Sequence, residues 1–175
     1  MLEEYTAKRD FKQTAEPTAK IQPQKSAAKP LNFVVQYHQS RTPHYDFRLE
    51  QGGVLLSWAV PKGVPTTVGE KRLAIHVEDH PLEYRHFEGE IPAGNYGAGT
   101  VTIWDKGLWT PLETRDEAIK FKLDGEKLHG KYALILAYAR VPDKSGCKTK
   151  YEGKQEQWLL IKERDATAKT QRIKS

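Results

Sequence analysis

His38, His44, Asp46 and Arg48 are the residues of this 175-residue chain whose types and spacing point to chemistry. They fall within Gln36-Tyr-His-Gln-Ser-Arg-Thr-Pro-His-Tyr-Asp-Phe-Arg48. Bulky and polar residues alternate there: Tyr45, Phe47 and Leu49 against His44, Asp46 and Arg48. Side chains two apart on a strand share a face. The polar three therefore line one face, with the bulky three buried behind them. Val35 and Tyr37 alternate with Gln36 and His38 in the same way, and the Gln39–Pro43 connection predicts a hairpin that brings His38 close to His44. Two imidazoles and a carboxylate on one spot, with a guanidinium alongside, suit a divalent metal and an anionic substrate. The bland alternative is a polar strand face with hydrogen-bonded histidines. Three ligand-type side chains and an arginine on one hairpin face favour the metal.

The elements that must position this set read as strands. Phe33–His38, His44–Glu50, Val54–Val60, Arg72–Glu78, Thr100–Trp104, Lys131–Tyr138 and Gln157–Lys162 alternate or run apolar. Gly52-Gly53 and Asp124-Gly125 are hairpin signals, the latter between Phe121–Leu123 and Glu126–Leu128. Leu112–Ile119 and Met1–Lys8 read as short helices. Many short strands with glycine turns predict a mainly β fold, a compact closed barrel of short antiparallel strands with one or two short flanking helices. The division expected is an N-terminal arm and flexible linker over 1–30, a core over 31–165 and a basic, disordered tail over 166–175.

Composition sets the class. Apolar residues are 38% and charged residues 29%, with a net charge of +5, so the chain reads as one globular domain whose mild basic bias is compatible with nucleic acid. The single cysteine, Cys147, excludes an internal disulfide and fits a reducing compartment. No signal peptide or membrane-spanning run is apparent, so a cytoplasmic monomer is expected.

Further constellations carry less on their own. Arg72, Glu78, His80 and Tyr84 are evenly spaced, and Arg72, His76 and Glu78 are expected opposite an aliphatic stripe of Leu73, Ile75 and Val77. The plain reading is a solvated outer face. His76 and His86 read as structural or exposed. Lys8, Arg9 and Lys12 could form a phosphate-binding arm, or simply a solvated terminus. Gly94-Asn-Tyr-Gly-Ala-Gly99 lacks the Lys-Ser/Thr ending of a phosphate loop and reads as turn glycines. Trp58, Trp104, Trp109 and Trp158 read as core packing rather than base-stacking residues.

Taken together, several ordered segments resemble the phosphoesterase domain of bacterial ligase D, in particular its stand-alone members. They are Arg9-Asp10-Phe11 through Glu16-Pro17, Phe33–His38, His44–Leu49, Ser57–Gly63, Arg72–Tyr84, Glu88–Pro92 with Tyr96–Gly99, and Trp158–Lys162. The resemblance spans about Arg9 to Asp165. It implies a β-barrel and a manganese-dependent enzyme that heals DNA 3′ ends. Such an enzyme removes a 3′-terminal ribonucleoside from a primer-template and then the 3′-phosphate, leaving a 3′-hydroxyl. It also implies a DNA ligase and polymerase of end joining as partners. It places the metal on His38, His44 and Asp46, and phosphate contacts on Arg48 and His80 with Arg72, Lys62 and Tyr84 nearby. Gln36 and Glu78 would orient these groups, while Arg9, Asp10 and Glu16 would fold back over the site. The chemistry is coherent: a divalent metal polarises a phosphoryl oxygen and acidifies bound water, arginines take the remaining oxygens, and His80 donates to the transition state or the leaving oxygen. Nitrogen and oxygen ligands suit manganese, and zinc or cobalt also.

Two other classes compete. A two-His-one-carboxylate set is also that of non-haem iron oxygenases. Oxygen and oxoacid dependence would mark that class. A non-catalytic DNA-end-binding module would leave a 3′-phosphorylated primer-template untouched in the presence of manganese.

Overall fold

A computed structural model of the chain describes residues 2–8, 16, 30–138 and 156–164. Nine strands are present among them: β1 (Leu31–Ser40), β2 (His44–Gln51), β3 (Val54–Val60), β4 (Lys71–Pro81), β5 (Gly89–Ile91), β6 (Gly99–Arg115), β7 (Ala118–Gly125), β8 (His129–Tyr138) and β9 (Gln157–Lys162). The sheet runs β1-β2-β3-β4-β9-β8-β7-β6-β5, and an added β1–β6 pairing closes eight of the strands into an antiparallel barrel. β5 lies outside the ring as a short strand on β6. Helix α1 (Glu3–Ala7) and a 3₁₀ helix (Leu82–His86) flank the barrel. No described helix is long and apolar enough to cross a membrane.

The two faces of the wall have different tasks. Inside, Phe33, Val35, Phe47, Leu49, Trp58, Val60, Phe121, Leu134 and Leu160 belong to one buried cluster. Each such side chain contributes about 1.5–3 kcal/mol on burial. The inner face therefore fixes the register of β1 and β2, and with it the outer face. Outside, a second cluster of Tyr5, Leu55, Leu82, Tyr84, Phe87, Ile91 and Val101 packs α1, the 3₁₀ helix and β5 on the wall. Trp58, Trp109 and Trp158 are core residues, as the sequence suggests, and Trp104 packs against the same core.

The β1–β2 hairpin forms as expected, with His38 directly opposite His44. Gly52 and Gly53, at φ 64° and 85°, close the β2–β3 hairpin. Three expectations are corrected. Leu112–Ile119 is not a helix: β6 continues to Arg115 and returns at once as β7, whose Ile119, Phe121 and Leu123 alternate into the core. Asp124-Gly125 is not the turn but the end of β7, and Glu126–Leu128 is the turn rather than a strand. The reason is tertiary. The buried Asp105 carboxylate accepts the N–H groups of Glu126, Lys127 and Leu128 at 2.9–3.1 Å. Gly125 leaves room for that brace, since a Cβ there would stand 2.6 Å from both Asp105 Oδ2 and the Phe33 ring.

The third correction concerns β4. Leu55 pairs with His80 but Ser57 pairs with Val77, so β4 carries one extra residue between them. This bulge reverses the alternation. Ile75 and Val77 thereby share an outward cavity with Glu78 and His80, and Arg72 and His76 do not join it. Leu73 is exposed and Ala74 buried, the opposite of a buried Leu73 stripe.

Candidate functional site

The outer wall of β1–β4 forms one side of a cavity of about 660 Å³, and the segment Asn95–Ala98 forms another. Its centre is the β1–β2 hairpin. The imidazole rings of His38 and His44 lie 4.9 Å apart, centroid to centroid. His44 Nε2 is 3.3 Å from Asp46 Oδ1, and His38 Nδ1 is 3.8 Å from Asp46 Oδ2. One ligand atom from each of the three lies within 4.8 Å of the others. The opposite nitrogens are both engaged: His38 Nε2 is 2.6 Å from the Gly97 carbonyl oxygen and His44 Nδ1 is 2.8 Å from that of Thr42. A carbonyl only accepts, so each of those nitrogens carries a proton, and in the neutral ring the remaining nitrogen, facing Asp46, is left as a metal ligand. That is the arrangement of metal-binding histidines oriented by a backbone acceptor. The donors present thus fit a divalent cation of borderline or hard character.

Electrostatics favour the ligand form of His38 and Asp46, whereas Asp46 favours the protonated form of His44. Burial pulls His38 below the usual imidazole range, against the charge of Asp46. Burial also opposes protonation of His44, but its hydrogen bond to Asp46 and the charge there outweigh burial and raise it. Burial alone would raise Asp46; Arg48 and the histidines outweigh it and hold the carboxyl below its usual range.

Behind the triad, Arg48 is clamped. Its Nε donates to Gln36 Oε1 at 2.7 Å and its Nη1 to Ser57 Oγ at 2.8 Å, while Nη2 lies 3.5 Å from Asp46 Oδ2. The guanidinium sits 4.9 Å over the Tyr84 ring. Gln36, fully buried, completes the clamp by donating to the carbonyls of Tyr84 and Phe87 at 2.8 and 3.1 Å. A single amide thus ties the arginine to the 3₁₀ helix.

A second group closes the cavity from the β4 side. His80 Nδ1 is 2.9 Å from the Glu78 carbonyl oxygen, which fixes the ring proton there. The His80 ring packs edge-on against Tyr84 and Tyr5. The Tyr84 hydroxyl donates to Glu16 Oε2 at 2.8 Å. Lys8, just after α1, donates to Glu78 Oε2 at 3.2 Å and lies 4.7 Å over the Tyr96 ring. Burial alone would lower the Lys8 ammonium, but Glu78 outweighs it and raises it.

Of the residues singled out in the sequence, His38, His44, Asp46, Arg48, Glu78, His80 and Tyr84 line the cavity together, and Gln36 and Glu16 bond to its walls. Arg72 and Lys62 do not line it: Arg72 bonds to Glu70 Oε2 and to the Lys62 carbonyl, and the Lys62 side chain is exposed. Arg9 and Asp10 lie outside the described residues, as do Lys12, Cys147 and the tail over 166–175. His76 packs at a tilt against the Trp58 ring and pairs with Glu156, away from the cavity. Sequence reasoning missed the roles of Ser57 and of the Thr42 and Gly97 carbonyls. Ser57 was visible as a polar residue in an apolar strand; backbone acceptors leave no residue-type signal.

The sequence model of the DNA ligase D 3′-phosphoesterase domain matches residues 36–136. The multifunctional non-homologous end joining protein LigD of Pseudomonas aeruginosa is 48% identical over 174 residues, covering 97% of this chain and 19% of that protein. The protein of the same description from Mycobacterium bovis is 47% identical over 138 residues, covering 77% of the chain and 18% of that protein. Mycolicibacterium smegmatis has another, 46% identical over 145 residues. The chain thus spans no more than 19% of the length of these relatives.

Proposed function

The chain belongs to the DNA ligase D 3′-phosphoesterase domain family, and from that premise we propose that it is a manganese-dependent hydrolase of DNA 3′ ends. It removes a 3′-terminal ribonucleoside from a primer-template, then the 3′-phosphate, and leaves a 3′-hydroxyl for end joining by a ligase and polymerase. The observation that carries the chemistry is the triad. Two histidines with their outer N–H groups tied to carbonyls face one carboxylate, and a clamped arginine adjoins it.

In this reading His38, His44 and Asp46 hold the cation; cobalt or zinc fits the same donors. The cation supplies Lewis-acid polarisation of the phosphoryl group. Arg48, already positioned by Gln36 and Ser57, binds phosphate oxygens without reorganising, which is where electrostatic stabilisation is strongest. His80 keeps Nδ1–H on the Glu78 carbonyl and presents Nε2 to the cavity; as the imidazolium it donates a hydrogen bond or a proton from Nε2 to the leaving oxygen. Tyr84 packs under Arg48 and His80, and Glu16 anchors its hydroxyl. Glu78 and Lys8 brace the rim. Arg72 and Lys62 act at the margin of the site, and Arg9 and Asp10 contribute to binding the substrate. The test is metal-titrated turnover of a 5′-labelled primer-template ending in one 3′-ribonucleotide. Shortening to a 3′-phosphate and then a 3′-hydroxyl is expected with manganese. Inert protein, or turnover that needs dioxygen and an oxoacid instead, would favour the binding-module or oxygenase readings.

A further inference from the structure

The cavity is larger and less polar than a phosphate requires. Cation-handling groups occupy only part of it. Next to them on the same outer wall, Ala59 and Pro61 at the end of β3 adjoin Ile75 and Val77 on β4. The register puts Ala59 beside Asp46 on one side and beside Ile75 on the other. Adjacent strands are about 4.8 Å apart, so the apolar patch begins one strand from the metal triad and extends about 10 Å from it. None of its four side chains carries a hydrogen-bonding atom. Tyr96, from the loop whose Gly97 carbonyl orients His38, also lines the cavity and is 48% exposed.

An apolar shelf and an exposed aromatic ring beside a phosphate site match one chemical group: a nucleobase joined to the scissile phosphate through one sugar. The upstream primer is tied to a duplex and must leave the cavity. The single terminal nucleoside is the part that can stay in it. Resting on the end-healing reading above, we infer that Pro61, Ile75, Val77 and Tyr96 form a subsite for the base of the 3′-terminal nucleoside. The base is held by apolar contact and stacking, so the shelf accepts any of the four bases. The subsite contributes to the diesterase step only, because a 3′-phosphate end has no terminal nucleoside to place.

Three substrates on one primer-template test this with the full-length chain and manganese. One ends in a ribonucleoside, one in a base-free ribose and one in a 3′-phosphate. Wild type is expected to show a KM about tenfold lower for the ribonucleoside than for the base-free ribose, as one stacked base allows. That ratio should fall toward one in Ile75→Ser and Tyr96→Ala and persist in Tyr96→Phe, which keeps the ring and removes the hydroxyl near Lys8. Release of the 3′-phosphate should change by less than about twofold in all three variants, which also shows that they fold. Equal wild-type KM with and without the base would overturn the subsite, as would parallel loss of both activities in the variants. Wild type inert toward the 3′-phosphate end would instead overturn the end-healing reading itself.

Discussion

Which nitrogen of each histidine is open decides what the triad can hold, and backbone carbonyls make that decision here. His44 is partly exposed and its removal strands no buried charge. His44→Ala is therefore expected to cut metal-dependent turnover by more than about a hundredfold, with an unchanged urea midpoint. Asp46 is different, because Arg48 lies buried 3.5 Å away. Asp46→Ala should abolish turnover and also cost about 3 kcal/mol in urea unfolding, the penalty of an orphaned buried cation. Equal stability of the two variants would contradict the charge coupling. Gln36 makes three buried hydrogen bonds through one amide. Gln36→Leu keeps the volume but takes the amide donor from the Phe87 carbonyl and the acceptor from the Arg48 Nε–H, while the Tyr84 carbonyl keeps the Phe87 N–H. A loss of about 2–4 kcal/mol is expected, with a kcat decrease, because Arg48 is no longer aimed.

Elements show where local pattern suffices and where it does not. His38, His44, Asp46 and Arg48 were legible because strand alternation is a local property and their hairpin is short. Arg72 was not placed correctly, because the β4 bulge that separates it from Glu78 and His80 follows from pairing with β3. Leu112–Ile119 has too few residues to distinguish a helical period from a bulged strand meeting a turn. Gly125 looks like a turn residue, yet its role is to admit Asp105 against β7. That brace yields a prediction of its own. Asp105→Ala removes one acceptor from three backbone N–H groups. Thermal or urea unfolding should show a loss of about 2–4 kcal/mol, with turnover below the transition unchanged, since Asp105 does not line the cavity.

For the molecule as a whole, closure couples the walls of the barrel through groups such as Tyr132. Its hydroxyl donates to the Pro65 carbonyl at 2.8 Å, inside the core. Burial, aided by Asp105 and Glu70, raises the phenol far above its ordinary range. The folded value exceeds the unfolded one, so this contribution is intact below about pH 10, the unfolded value, and is lost progressively above it. Tyr132→Phe should cost about 1 kcal/mol at pH 8, and the gap to wild type should narrow by pH 11. A constant gap would exclude this source of alkaline instability. The two-faced wall has one more consequence. In β2 the core residues Phe47 and Leu49, with Tyr45 half-buried against them, alternate one-for-one with His44, Asp46 and Arg48. A mispaired strand, shifted by a single residue, would exchange the two sets completely. Such an error could not produce a half-active enzyme. During refolding, recovered activity should therefore count correctly threaded molecules, making catalysis a proofreader of assembly.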